Sequence, residues 1–81
     1  MDYDGEGLIR RTGMNNGVLE IELKTTIPPI IDWTGYGVPA AFQKEYLAIA
    51  MIALTGNRRV YCSIRRGPQG PDIISKIGLV A

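Results

Sequence analysis

The chain holds one cysteine, Cys62, and no histidine, and this composition limits its possible folds more than any other feature. A lone cysteine cannot form an intramolecular disulfide, and structural zinc sites need several cysteines or histidines. The 81 residues must therefore be held together by one apolar core, without a disulfide or structural zinc, and we expect no metal and no cofactor. We interpret residues 1–81 as a single domain.

The remaining composition is that of a folded chain with little overall charge. Hydrophobic residues make up 46% of the sequence and charged residues 21%, which is far from the composition of disordered chains. The formal net charge is +1, so no global field attracts the protein to nucleic acid or to an acidic membrane. Any electrostatic role must be local.

A β-hairpin is predicted in the first third of the chain. The segments Leu8–Met14 and Val18–Lys24 flank residues 15–17, where Asn, Asn and Gly tolerate the positive φ of a tight reversal. The second segment alternates with the period of a half-buried strand. Its two faces are Leu19, Ile21 and Leu23 on one side, and Val18, Glu20, Glu22 and Lys24 on the other.

The middle of the chain predicts a weak strand and a loop. Pro28 and Pro29 cannot donate to a sheet ladder, so they are placed in an extended connection or at a sheet edge. A short edge strand is predicted at Ile30–Trp33. The segment Trp33–Gly37 contains two glycines and two aromatic residues and is predicted to be a loop.

One helix and two further strands complete the prediction. Pro39 suits a first helical turn and Gly56 suits a C-terminal stop, so the helix is placed at Pro39–Thr55. Strands are predicted at Arg59–Arg65 and Ile73–Val80, separated by the Gly-Pro-Gln-Gly-Pro sequence of residues 67–71.

This order of strand, strand, strand, helix, strand, strand is that of the five-stranded OB-type barrel. We therefore predict a β-rich (β+α) OB-like barrel; a small α+β meander with the helix on one sheet face is the alternative. The core should combine the apolar strand faces with one stripe of the helix. Its predicted members are Leu19, Ile21, Leu23, Phe42, Tyr46, Ile49, Val60, Cys62, Ile64, Ile73 and Ile77.

The segment Tyr46–Tyr61 is an Ala- and Leu-rich helix that ends in Thr, Gly and a polar residue before a Val-centred strand. In this pattern the chain resembles small secreted bacterial OB-fold-like proteins, among them the B-subunits of AB-type pentameric toxins. The resemblance implies a ring-forming or ligand-binding secreted domain. It carries over no binding residue, and this chain lacks the paired cysteines that those proteins often contain.

A second apolar stripe on the helix predicts self-association. Leu47, Met51 and Leu54 lie roughly opposite the core stripe and would form an exposed apolar patch on a monomer. We expect a homo-oligomer with these three residues at its interface. The alternative is that the loop Thr25–Ile31 folds over the stripe and leaves a monomer.

The residues that could carry chemistry favour binding over catalysis. Without histidine there is no ordinary general base for a serine or cysteine nucleophile, so we expect no enzyme and no catalytic residue. Asp32, Trp33 and Tyr36 are the candidate ligand-binding residues, because sugar rings stack on aromatic planes and carboxylates accept from hydroxyl groups. A glycan or a second protein chain is the expected partner; otherwise Trp33 only caps the barrel.

Paired arginines carry the alternative function. The pairs are Arg10 with Arg11, Arg58 with Arg59, and Arg65 with Arg66. OB barrels bind single-stranded nucleic acid with a basic groove and stacking aromatics, so a nucleic-acid-binding OB module is the second hypothesis. In a regular strand, however, adjacent residues point to opposite faces, which would divide each pair.

The longest apolar run, Tyr46–Leu54, is about half of the ~20 residues that a membrane-spanning helix needs. We therefore expect no membrane span. The first six residues do not resemble a signal peptide. The resemblance to secreted bacterial proteins implies a secreted or periplasmic location, for a mature form from which such a peptide has been removed.

Overall fold

Five strands close into a barrel in the computed structural model, which describes residues 2–68 and 70–81. The elements are β1 Tyr3–Asn15, β2 Val18–Thr25, β3 Thr34–Gly37, a 3-10 turn Ala40–Phe42, α1 Gln43–Gly56, β4 Val60–Gly67 and β5 Gly70–Leu79. The strand order is β1-β2-β3-β5-β4, and β4 pairs with β1 to close the barrel. The predicted β-rich, OB-like barrel with one helix between the third and fourth strands is confirmed.

The first hairpin also has the predicted turn. Asn16 and Gly17 adopt φ values of 51° and 79°, and Asn15 pairs directly with Val18. A two-residue turn with two positive φ angles matches the right-handed twist of the flanking strands. The local sequence is therefore sufficient to set the register of β1 against β2.

Gly7 is the residue of β1 at which pairing with β4 ends and pairing with β2 begins, within one closed sheet. It pairs with Thr25 of β2 and with Val60 of β4. A Cβ atom at this position would lie 2.7 Å from the Lys24 carbonyl oxygen and 2.8 Å from Leu23 Cδ2. Closure of the barrel therefore requires a residue without a side chain at position 7.

The third strand was placed four residues too early by the sequence. Ile30–Trp33 is not a strand; β3 is Thr34–Gly37, within the segment predicted to be a loop. Tyr36 pairs with Ile21, and Gly37 pairs in parallel with Ile73 of β5. Neighbours on two sides thus hold a glycine-rich segment extended, although its own composition favours a loop.

Most of the predicted core is buried. The confirmed members are Leu19, Ile21, Leu23, Val60, Cys62, Ile64 and Ile77, with Tyr46 and Ile49 packed at the margin. Two members were wrong. Phe42 is about half exposed because it precedes the α-helix, and Ile73 is replaced by Ile74, which is 0% exposed.

A bulge in β5 explains the second error. Ser63 pairs with Lys76 while the next residue, Ile64, pairs with Ile74, so Ser75 is an extra residue. One extra residue reverses the alternation of side chains on the strand that carries it. Ile74 and Ile77 therefore point inward together, and Ile73 does not.

The helix begins later than predicted and ends where predicted. The chain enters it through the 3-10 turn, and Asn57, in the left-handed conformation, donates its backbone N–H to the Ala53 and Leu54 carbonyls. Ala50 and Ala53 are its buried residues. Leu54, predicted at an oligomer interface, instead packs against the core, because it lies only about 40° around the helix from Ala50.

Candidate functional site

Arg10 and Arg11 both point to the outside of the barrel, although they are neighbours in one strand. Ile9 pairs with Leu23 and Arg11 pairs with Glu22, so Arg10 is an inserted residue in β1. The expectation that this arginine pair is divided between two faces was wrong because of that bulge. The two guanidinium groups meet at a single carboxylate.

That carboxylate belongs to Glu22 of β2. Arg11 Nε donates to Glu22 Oε2 over 3.0 Å, and Arg10 donates to Oε1. Hydrogen bonds from Arg11 and Arg10 hold the pKa of Glu22 below its usual range. Glu22 is therefore a hydrogen-bond acceptor, with no proton to donate at neutral pH.

Beside it lies a second carboxylate with different partners. Glu20 is half-buried on the same face of β2, and Asn15 Nδ2 donates to its Oε2 over 3.3 Å. Within residues 2–68 and 70–81 it takes part in no ion pair. Glu20 thus offers acceptor capacity that no cation of the described chain occupies.

A shallow depression of about 240 Å³ runs along these carboxylates; we call it the glutamate groove. Its lining residues are Arg11, Gly13, Met14, Glu20, Glu22 and Gly35. Gly13 is the register partner of Glu20, and Gly35 is that of Glu22. A Cβ at Gly13 would meet nothing within 4 Å, and one at Gly35 would lie 3.2 Å from Glu20 Oε1. Gly13 and Gly35 therefore leave space around the Glu20 carboxylate, whereas the Glu22 carboxylate is covered by its two arginines.

Trp33 lies two residues before Gly35, which lines this groove. The Arg10 guanidinium carbon lies 4.8 Å from the centre of the Trp33 ring, within cation–π range. Asp32 is exposed, and its carboxylate accepts the Trp33 backbone N–H over 2.8 Å. Trp33 is half-buried outside the buried core, so its ring is held on the outer face through Arg10.

Tyr36 does not belong to this surface. Only 2% of the residue is exposed, because β3 alternation turns Gly35 outward and Tyr36 into the barrel. Burial raises the pKa of its hydroxyl group. The predicted trio is therefore reduced to Trp33 and the adjacent Asp32.

Sequence reasoning missed four residues of the site. Glu20 and Glu22 could have been found, since alternation in β2 already placed them on one outward face. Arg10 and Arg11 could not be placed there, because their common orientation depends on the bulge. The signal available in the sequence was thus a pair of carboxylates two residues apart on a strand.

A second depression, of about 390 Å³ and almost wholly apolar, lies beside the first, since its lining residue Gly37 pairs with Glu20; we call it the apolar groove. It is lined mainly by Val18, Gly37, Val38, Pro68, Pro71 and Ile73. A Cβ at Gly37 would lie 3.7 Å from Ile73 Cγ2 and 3.8 Å from Val18 Cγ1. Gly37 is therefore the floor of the groove, and the two branched side chains are its walls.

Cys62 lies on the inner face of β4. Burial raises the pKa of its thiol to about 11, so the thiolate is not available at neutral pH. Among residues 2–68 and 70–81 no three metal-binding side chains come together. In the same part of the chain, no helix has the length and apolar character to cross a membrane.

Comparison with known proteins gives no assignment. No protein-family model, curated protein or solved structure matches the chain significantly. The proposed function therefore rests on the groove and the surfaces described above.

Proposed function

We propose that the chain is a non-catalytic carbohydrate-binding domain and that a neutral sugar occupies the glutamate groove. The observation that carries this proposal is the placement of Glu20 and Glu22 side by side in the glutamate groove, flanked by Gly13 and Gly35. Sugar hydroxyls donate to carboxylates, and the C–H face of a sugar ring packs on an aromatic plane. Carboxylates and an aromatic ring thus lie on one outer face, with Arg10 over one side of the ring.

The groove also supplies donors for the sugar oxygens. Arg11 uses its Nε and Nη2 on Glu22, and a guanidinium group has five N–H donors in total. Adjacent hydroxyls of a sugar ring can therefore donate to Glu20 and accept from Arg11 at the same time. Because the arginines already keep Glu22 ionised and in place, little reorganisation is needed when the sugar binds.

The charge balance favours a neutral ligand over nucleic acid. Arg10 and Arg11 are both committed to Glu22, and Glu20 adds a further negative charge to the groove. A phosphodiester backbone needs unpaired cations, and neighbouring carboxylates repel it. The nucleic-acid-binding hypothesis is therefore the second choice for this face.

Trp33 is the only tryptophan, so its fluorescence can report binding directly. We expect titration with neutral mono- and oligosaccharides to change its emission for at least one sugar. Glu20→Gln should weaken that sugar at least tenfold, because a hydrogen bond to a charged group contributes ~1.5–3 kcal/mol. Glu45→Gln, an exposed change on α1, is the matched control and should bind like the wild type.

Salt separates the two hypotheses. Sugar affinity should be nearly unchanged when salt is raised, whereas affinity for a single-stranded oligonucleotide falls steeply. An oligonucleotide that binds with strong salt dependence, while no sugar changes the emission of Trp33, would contradict the carbohydrate proposal.

We also propose that the outer face of α1 is a contact between copies of this chain. Leu47, Met51 and Ile52 are exposed on it, and such patches are typical of interfaces. The loop 25–31 does not cover them, since they are exposed and so are Ile27 and Ile30 of the loop itself. Light scattering should give a mass above 8.9 kDa for the wild type and a lower mass for Met51→Glu.

The control for that change is Arg66→Gln, which alters the net charge equally at an exposed position of β4. It should leave the mass unchanged. Equal masses for Met51→Glu and the wild type would contradict the helix contact.

We further propose that the chain is toxin-B-subunit-like, because sugar binding and self-association would accompany the Tyr46–Tyr61 pattern. Its proposed location is the periplasm or the outside of the cell, where such domains meet glycans. Fractionation of the native cells, followed by detection with an antibody, tests this location. Recovery only from the cytosol would contradict it.

A further inference from the structure

An aromatic side chain lies open to solvent on the side of the barrel formed by β1, β4 and β5. Tyr61 of β4 is 44% exposed, and its register partners are Glu6 of β1 and Gly78 of β5. The glutamate groove, in contrast, is lined by residues of β1, β2 and β3. Tyr61 therefore belongs to a different surface, to which the carbohydrate proposal assigns no role.

The ring of Tyr61 lies over the backbone of Gly78. A Cβ atom at position 78 would overlap the Cζ and hydroxyl oxygen atoms of Tyr61, so the ring occupies the space that a side chain would need. Gly78 is buried for this reason, although its cross-strand partner Tyr61 is exposed. One face of the ring is thus covered by β5, which leaves the opposite face to solvent.

Lys76 adds a cation beside this ring. Its Nζ lies 6.0 Å from the centre of the Tyr61 ring, at the limit of the cation–π range. Within residues 2–68 and 70–81 this ammonium group takes part in no ion pair, and the residue is exposed. The charge of Lys76 is therefore available to a ligand that packs on Tyr61.

The neighbouring carboxylates on this side of the barrel already have cationic partners. Glu6 Oε1 accepts from Arg59 Nη1 over 2.9 Å. Both carboxylate oxygens of Asp4 accept from Arg65 Nη2, over 2.9 and 3.1 Å. Because each of these carboxylates is matched by an arginine, they do not balance the charge of Lys76. The surface beside Tyr61 thus combines an open aromatic face with an unpaired positive charge.

We propose that Tyr61 is a stacking platform for a nucleotide of single-stranded nucleic acid, whose phosphate pairs with Lys76. An aromatic side chain can stack on any base, because every base has a π-face, and a nearby lysine neutralises the attached phosphate. A neutral sugar would gain nothing from the charge of Lys76. The site is separate from the glutamate groove and does not depend on sugar binding.

One stacked base and one phosphate contact define a weak site with little sequence preference. The phosphate contact can be measured on its own, because each neutralised phosphate of a single strand adds about −0.7 to the slope of log K against log salt concentration. With Lys76 as the phosphate contact, a tenfold rise in salt concentration should weaken binding about fivefold. A surface with many phosphate contacts would give a much steeper slope.

Titration with an oligothymidylate of about eight nucleotides, a length within the site size of OB barrels, tests the site by NMR. We expect the resonances of Tyr61 and Lys76 to shift and those of Trp33 to stay unchanged. Tyr61→Leu should weaken binding roughly fivefold or more, because it removes the stacking surface. Tyr61→Phe keeps the ring and is the matched control, so its affinity should stay within about twofold of the wild type.

Lys76→Gln tests the charge without changing the cover over Gly78. It should weaken binding and remove the salt dependence, whereas Lys44→Gln makes the same charge change at an exposed position of α1 and should alter neither. Glu20→Gln should bind the oligonucleotide like the wild type, because it changes only the sugar site. Thermal melting checks that each variant is folded.

Thymidine monophosphate is the second probe. It should shift the same resonances with lower affinity, because the strand presents several equivalent nucleotides. Tighter binding of the mononucleotide would overturn the assignment to a strand. No shift at Tyr61 with either probe, or an unchanged affinity in both Tyr61→Leu and Lys76→Gln, would overturn the whole proposal and leave the carbohydrate proposal unaffected.

Discussion

Replacing Ile74 and Ile73 separately by alanine tests the bulge in β5, on which the assignment of inner and outer residues depends. Ile74 is fully buried and belongs to the core, whereas Ile73 lines the apolar groove on the outside. Ile74→Ala removes three buried carbon atoms at about 0.8 kcal/mol each. With the cavity that remains, the free energy of unfolding should fall by ~2–5 kcal/mol.

Ile73→Ala should cost less than half as much, because its side chain is only half-buried. Urea denaturation of both variants measures the difference, with equal m-values as evidence that the same surface unfolds. For a domain of this size, a loss of 3 kcal/mol lowers Tm by roughly 12–24 °C. A greater loss at Ile73 than at Ile74 would refute the bulge and restore simple alternation from Ile73 to Ile77.

Three further experiments test the close approach at Gly7, the burial of Cys62 and the arginine contacts of Glu22. Gly7→Ala should lower Tm clearly, because the new Cβ would lie 2.7 Å from the Lys24 carbonyl oxygen. Gly13→Ala is the control: its Cβ would meet nothing within 4 Å, so the free energy of unfolding should change by no more than about 0.5 kcal/mol. Equal effects of the two changes would contradict the close approach of the strands at Gly7. The Cys62 thiol should react with a thiol reagent only after unfolding, and rapid labelling of the native protein at pH 8 would contradict its burial. Because the pKa of Glu22 is lowered in the folded state, the ionised side chain stabilises the fold above its ordinary pKa of 4.5, and this stabilisation is lost as the pH falls below that value. Tm should therefore fall between pH 5 and pH 3, and it should fall less in Glu22→Gln. Identical pH profiles of Tm for the two proteins would contradict the arginine contacts.

Part of the proposed carbohydrate site could be predicted from local sequence, and part depends on how distant strands pair. Alternation in Val18–Lys24 was enough to place Glu20 and Glu22 together on the outer face. The bulge that brings Arg10 to the side of Arg11 could not be predicted from the sequence, because it depends on how β1 pairs with β2. Tyr36 was misplaced because the sequence of β3 resembles a loop, so its alternation was not considered.

The sequence by itself determined the elements with strong local signals: the hairpin at residues 15–17, the alternating strand β2, the helix with its stop at Gly56, and the order of these elements along the chain. Only the tertiary structure decided where β3 lies, which isoleucine of β5 is buried, and which side of the helix Leu54 occupies. The physical reason is that a strand of four residues and a one-residue bulge gain their stability from the neighbouring strands. The residue pattern of one segment does not show which strands will lie beside it.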